Sequence, residues 1–600
     1  MLSSARRPLF YLIAASLPFF LLLMAELVLR LSGYGSNYPL FIASEQAEGY
    51  LEPNPAVMQR YFAPAQAPRL SMDTQLIRQS KTPGSLRIVI QGGSTAAGFP
   101  YGRFGSVQAM LTQLLKQHYP EHDIEVINTA MAAVNSYSLL DFQSDILALE
   151  PDIVLIYAGH NEFLGIMGAG SALSPAGGRA TTLLLLKLRQ LRLFQLLRNL
   201  LSASASPAEA NNNRSMMAQI AQGADIPTDS PLYQATLNQF HDNMALLLQR
   251  YQQEGIPVLL SNLVSNERDL VPFSAVSAAN WPELLPVLKQ ANSSLPTAVS
   301  DNPAGRDFAL GQQALAQQQL DRAQSLLQLA RDNDSLRFRA PAVFNQILAQ
   351  LAAQYQATLV DTEQLFRRHS TDALIGNSLL LEHVHPNVKG YQLLAAAFYR
   401  SLEQQGLLAR QKATGPLRLN ANDIPLTELD IRYAELKIDN LLRQYPFTSE
   451  TLPAAPFTIT TELDQLLKQR VDGAPWLTVQ RQLLRYYQQQ QDLSGSSKTL
   501  AMLADALPFD TDLWQETGLM YLQQGELQLA NYYLYHALRQ QPDNLRYLMN
   551  MAHLRFVQQR YQQSLQLLEK AAHLAPEDKQ VRFYQNKVQA QLAGQNRGTE

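Results

Sequence analysis

Three short motifs in this chain hold side chains that can do chemistry together. In QGGSTAAG, Ser94 follows Gly92 and Gly93 at the end of an apolar run. Glycines permit a tight turn there, and the peptide N–H groups of that turn can face an incoming carbonyl oxygen, which is where a nucleophilic hydroxyl belongs. The same pattern elsewhere only turns a chain or holds a phosphate, and it is not the G-x-S-x-G elbow. Nearly three hundred residues on, LLLEHVHPNVKGYQLLA sets Glu382 three residues before His385, just ahead of a helix expected to start around Asn387. A carboxylate at that spacing can reach the imidazole, fix its tautomer and stabilise the imidazolium formed when it takes a serine proton. His383 sits between them on the other side of the chain and reads as structural. E-H-V-H also reads as part of a metal site, but histidines two apart need further ligands that no obvious cluster supplies. The third motif, YAGHNEF, places Asn161 after another apolar run. Its amide can donate to a developing oxyanion, whereas an Asn by itself in a loop means a turn.

The elements that must position these groups are legible as five short apolar runs: LRIVIQG (86–92), IEVINTA (124–130), DIVLIYAG (152–159), PVLLSNL (257–263) and ATLVDTE (357–363). Each has the length and β-branched content of a buried strand, and helical stretches such as Val107–His118 and Leu237–Gln253 separate several of them. That alternation predicts an α/β fold, a parallel sheet covered on both faces. Ligands of such sheets bind beyond the carboxyl ends of the strands, where Ser94 and Asn161 lie. Long helical insertions, about 164–235 and 264–345, interrupt the later strands. The first holds the leucine-rich stretch 181–201, read as one helix with Lys187, Arg189, Arg192 and Arg198, either on a membrane surface or as a lid or core helix.

In order and spacing the motifs resemble the blocks of the SGNH (GDSL-like) hydrolases, over residues 86–165 and 255–402. That resemblance implies a three-layer α/β/α, flavodoxin-like domain with Ser94 as nucleophile, His385 as base and Glu382 behind it. It implies an oxyanion hole from the Ser94 N–H, the peptide N–H of the second block and the Asn161 amide, with no metal or cofactor required. The second-block position falls on Ala133 in VINTAMAAVNSY, where the family has glycine, and Glu stands for the family's Asp at Glu162 and Glu382. A peptide N–H can come from alanine if its backbone angles are tolerated.

The rest of the chain sets the context. Leu9 to Leu29 is a 21-residue apolar run behind Arg6 and Arg7. At about 1.5 Å per residue it would just cross a hydrocarbon core of roughly 30 Å, and the arginines would keep the N-terminus cytoplasmic and export the remainder of the chain. A cleaved signal peptide is the competing reading, but no A-x-A pattern comes after the run. Pro508, Pro542 and Pro576 recur every 34 residues, and Trp514, Gly518, Tyr521, Ala530 and Ala537 fall at the offsets of a tetratricopeptide repeat. Gly311, Ala323, Leu327 and Ala330 repeat those offsets inside the second insertion. The expected organisation is an anchor (1–31), a stalk or packing arm (32–85), the hydrolase domain (86–410), a linker (411–475) and an all-α repeat domain (476–595). With 48 basic and 51 acidic residues no global field favours nucleic acid, and zero cysteines exclude a thiol nucleophile. The expected partners are an ester substrate, such as an envelope polysaccharide or lipid, the membrane, and a protein bound by the repeats; an inactive assembly scaffold is the alternative.

Overall fold

The computed structural model describes residues 7–64, 67–68, 70–170, 177–203, 225–290, 294–408 and 424–597. Among these, eight strands form two sheets. The first is a small antiparallel sheet of β1 (Phe41–Ala43), β2 (Tyr50–Pro53) and β3 (Ile77–Arg78). It lies in the stretch expected as a stalk or packing arm, and it packs: Leu40, Val57, Met58 and Ile77 are buried in the same core as the larger sheet. Strands of two to four residues are too short to leave a periodic signal in the sequence.

The second sheet takes all five apolar runs, as β4 (Leu86–Gly92), β5 (Ile124–Asn128), β6 (Ile153–Tyr157), β7 (Val258–Ser261) and β8 (Thr358–Val360). All four pairings are parallel, in the order β5-β4-β6-β7-β8. The register sets Ile90 beside both Asn128 and Leu155. Residues 87–92 and 153–157 are buried without alternation, as strands covered on both faces must be. The chain winds outward from β4 to β5, then returns past it to β6. The crevice beyond the carboxyl ends of β4 and β6 is therefore the switch point where such sheets bind ligands.

At the N-terminus, helix Arg7–Leu31 contains one stretch long and apolar enough to cross a membrane, Phe10–Leu31, with mean hydropathy 2.3. The leucine-rich stretch is two helices, Gly178–Leu188 and Arg192–Ala203, rather than one. The break coincides with a tertiary contact: Glu26 accepts hydrogen bonds from the Arg192 and Leu193 N–H groups at 2.9 and 2.8 Å and pairs with Arg30. A carboxylate so placed satisfies the free N–H groups of a helix start.

The second insertion contains the antiparallel helices Pro303–Ala316 and Leu320–Asp332. A side chain on Gly311 would lie 2.8 Å from Cγ of Leu327. The C-terminal region repeats this notch in helices Thr511–Gln523 and Leu527–Gln540, where a side chain on Gly518 would stand 2.6 Å from Cγ of Leu534. Pro508, Pro542 and Pro576 each fall between successive helix pairs of a large helical region. Helices Glu428–Leu442 and Glu462–Val471, each opened by a capping box, occupy much of the stretch expected as a linker. The helical region docks on helix Val107–His118: the buried Lys116 ammonium is 2.6 Å from both Asp505 oxygens and 2.8 Å from the Tyr533 hydroxyl. Arg555 reaches Glu121 at 2.9 Å beside it.

Candidate active site

β4 leads straight into the site. A side chain on Gly92 would come within 2.3 Å of the Tyr157 carbonyl, so β4 and β6 approach each other closely at their carboxyl ends only because this residue has none. Gly93 is extended and caps the short helix Ser94–Ala97, which leaves Ser94 at a helix N-terminus with its N–H outside the helical ladder.

The loop before helix Val388–Gln404 brings up the base. It is closed by a bridge between Leu380 and Pro386 and by the Leu381 N–H donating to the His385 carbonyl at 2.8 Å. His385 Nε2 is 2.7 Å from Ser94 Oγ. On its other side Nδ1 meets Glu382 Oε1, and the same carboxylate accepts from the His385 and His383 peptide N–H groups at 3.0 and 2.6 Å. The extra methylene of Glu over Asp thus lets the carboxylate turn back onto its own loop. Thr95 donates to the Val384 carbonyl at 3.3 Å, and the Tyr391 hydroxyl lies 3.0 and 2.8 Å from the Thr95 and Phe99 carbonyls. These bonds tie the serine turn to a loop nearly three hundred residues away.

Burial pushes the His385 imidazole down to about 3, which keeps it neutral and able to accept a proton. The Phe99 ring, 4.6 Å away between centroids, forms part of that apolar surrounding. His383 packs edge-on against Phe273, Phe338 and Phe447, with its Nδ1 against the second Glu382 oxygen. Glu382, His383 and His385 offer three ligand-type atoms within 4.8 Å of one another. Both carboxylate oxygens are taken up by imidazole and peptide N–H groups, the pattern that orients a base.

The oxyanion side is built from two loops. Asn161 donates through Nδ2 to the Val134 carbonyl at 3.0 Å, which fixes the amide and leaves its second hydrogen. Ala133 has φ +61°, the left-handed region in which glycine is the usual residue. Its carbonyl accepts from the Ile166 N–H at 2.8 Å, so the loop after β6 holds that peptide in place. Glu162, beside Asn161 in sequence, is fully buried, and burial raises its carboxyl against the pull of Ser136. It accepts from the Ser136 hydroxyl at 2.6 Å, the Ser136 N–H at 3.0 Å and Gln239 at 3.0 Å, and so pins the start of helix Ser136–Leu147 next to Ala133. Sequence reasoning missed this role, and those of Phe99 and Tyr391; the available signal was an acid next to Asn161 and an aromatic six residues after His385.

The geometry thus brings Ser94, His385 and Glu382 into one hydrogen-bonded line, with Ala133 and Asn161 on adjoining loops. A family model described as GDSL-like lipase/acylhydrolase matches residues 90–393, just over half of the chain. The chain belongs to the GDSL-like lipase/acylhydrolase family. The enzyme is accordingly an ester hydrolase of the SGNH type, with a parallel α/β sheet and a large helical C-terminal region. No curated protein matches it. Among solved structures it is similar to the acetyl xylan esterase AlAXEase, at 14% identity over 53% of this chain and 100% of the other, with a TM-score of 0.25. It is also similar to Axe2, an acetylxylan esterase from Geobacillus stearothermophilus, at 16% identity over 53% and 95% of the two chains, with a TM-score of 0.26. A GDSL-like lipase from Bacteroides thetaiotaomicron matches at 12% identity over 55% and 93%, also at 0.26.

Proposed function

We propose that Ser94 is the nucleophile of an acyl-ester hydrolase or acyl-transfer enzyme of the cell envelope. Ser94 Oγ bonds to the ester carbonyl carbon as its proton passes to His385 Nε2, and Glu382 holds the resulting imidazolium. The Ser94 and Ala133 N–H groups and the Asn161 amide receive the oxyanion. Collapse breaks the ester C–O bond, the leaving alcohol takes the proton from His385, and water or a sugar hydroxyl resolves the acyl-serine by the reverse sequence. The observation that carries this reading is the unbroken line from Ser94 Oγ through His385 to Glu382. The same line speaks against an inactive scaffold, which needs none of it.

In this reading Phe10–Leu31 is an uncleaved single-pass anchor in the inner membrane, with the enzyme on the periplasmic side. The substrate is an acyl or acetyl ester on an envelope polysaccharide or lipid. The C-terminal helices are tetratricopeptide repeats that take a protein partner; their supports are the 34-residue proline spacing and the notch shared by Gly311 and Gly518. A fluorophosphonate probe tests the nucleophile on membranes carrying the wild-type enzyme or Ser94→Ala. Labelling should appear in the first and vanish in the second; an unlabelled wild type, or a labelled variant, overturns the assignment.

A further inference from the structure

Helix Arg192–Ala203 is built inside out for a helix in water. Gln195, Arg198 and Asn199 face the protein. Gln195, buried, accepts from the Ser36 N–H at 3.2 Å and donates to the Ser36 carbonyl at 2.8 Å. Arg198 donates to the Gln59 carbonyl at 3.2 Å, and Asn199 to the Tyr34 hydroxyl at 3.1 Å. Outside stand Leu197, Leu200 and Leu201, exposed to 56%, 63% and 68% and spaced to share one face. A surface helix of a soluble protein has the opposite arrangement, with its apolar stripe toward the core.

The helix is also fixed in height. Its first N–H groups are held by Glu26, five residues before the end of helix Arg7–Leu31, which is about 7.5 Å along the axis at 1.5 Å per residue. Side chains of the apolar stretch around it, among them Leu22, Leu23 and Leu27, are exposed as well, so the leucine face continues an apolar surface that already exists. Amphipathic helices in a membrane interface lie roughly 5–10 Å into the boundary between headgroups and acyl chains, which is the depth this contact sets. Arg30, which pairs with Glu26 and donates to the Gln190 carbonyl at 3.4 Å, stands at this end, where lipid phosphates would meet it.

We propose that helix Arg192–Ala203 is a second membrane element, lying in the outer-leaflet boundary of the bilayer that helix Arg7–Leu31 crosses. The inference rests on the anchor reading above. It answers how an acid is tolerated inside an apolar span: Glu26 is the joint between the crossing helix and the lying one. Because the helix belongs to the insertion between β6 and β7, the joint also holds the enzyme at a set height over the lipid.

The chain has no cysteine, so single labels can be placed in the full-length protein. Leu200→Cys, Leu21→Cys and Leu329→Cys are each labelled with an environment-sensitive fluorophore and reconstituted in phosphatidylglycerol-containing vesicles, with lipids brominated at shallow or deep positions. The label at 200 should lose most of its emission to shallow bromines, the label at 21 to deep ones, and the label at 329, half-exposed in the second insertion, to neither but to aqueous iodide. Quenching at 21 but not at 200 overturns the proposal and leaves the anchor standing. Quenching at neither position overturns both. A label at 200 shielded from both bromine and iodide means a protein contact covers the leucines, which also overturns it.

Discussion

A methyl group on Gly93 would stand 2.9 Å from Nδ2 of Asn161. The two residues come from the ends of neighbouring strands, and the missing side chain is what lets the amide lie beside the serine turn. Gly93→Ala should push the amide off its seat on Val134. A misplacement of about 1 Å costs about 10²-fold in rate, so kcat should fall about 10- to 100-fold with KM little changed. Asn161→Ala should fall about 10²–10³-fold, as when an oxyanion donor is removed. Steady-state kinetics on a chromogenic acetyl ester checks both; an Asn161→Ala variant at wild-type rate would remove Asn161 from the site.

Glu382→Gln tests the carboxylate. Its oxygens accept from two peptide N–H groups and lie against two imidazoles, so an amide nitrogen in either place meets a donor and favours the wrong His385 tautomer. Activity should drop about 10³–10⁴-fold while probe binding to Ser94 slows in parallel. Equal rates in variant and wild type would show that the Ser94–His385 pair works unaided.

The acid limb of activity is set by His385. Only the neutral imidazole accepts a proton; burial pushes His385 down to about 3 while the Glu382 carboxylate on Nδ1 pulls the other way, so kcat/KM should stay level to below pH 6.5. A limb at the ordinary histidine value would contradict this. Stability has the same sign: His160 and His385 are pushed down to about 3 and His383 well below its usual range, each chiefly by burial. The unfolded chain takes up these protons first as pH falls below about 6.5. Each histidine should therefore remove about 1.4 kcal/mol of stability per pH unit until the folded form protonates, with no such loss above pH 6.5. Urea midpoints from pH 7.5 to 4.5 measure the slope.

Ala133→Gly should gain stability. The left-handed backbone at φ +61° costs an alanine about 1–2 kcal/mol, partly offset by the entropy a glycine adds to the unfolded chain. Denaturation should show a gain of about 1 kcal/mol with activity retained, because the N–H stays.

How much of this was legible depended on whether the signal was local. Runs such as Leu86–Gly92 identify themselves by β-branched content, and Ser94, His385 and Glu382 by type and order along the chain. The order of the strands is carried by long crossovers and leaves no local mark. The break in the leucine-rich stretch coincides with a contact from Glu26, more than 160 residues away, and the role of Glu162 shows only once Ser136 is seen against it. Two-residue strands such as Ile77–Arg78 have no period to read.

Lys116 has a consequence for cooperativity. Its helix packs against the edge strand β5, yet its charge is paired with Asp505 in the C-terminal helices. Neither region can melt alone without stranding one partner; breaking a buried pair costs about 3–5 kcal/mol, less here because Asp505 is partly exposed. Calorimetry of the intact chain should give one transition with matching calorimetric and van't Hoff enthalpies, and Lys116→Ala should split it in two.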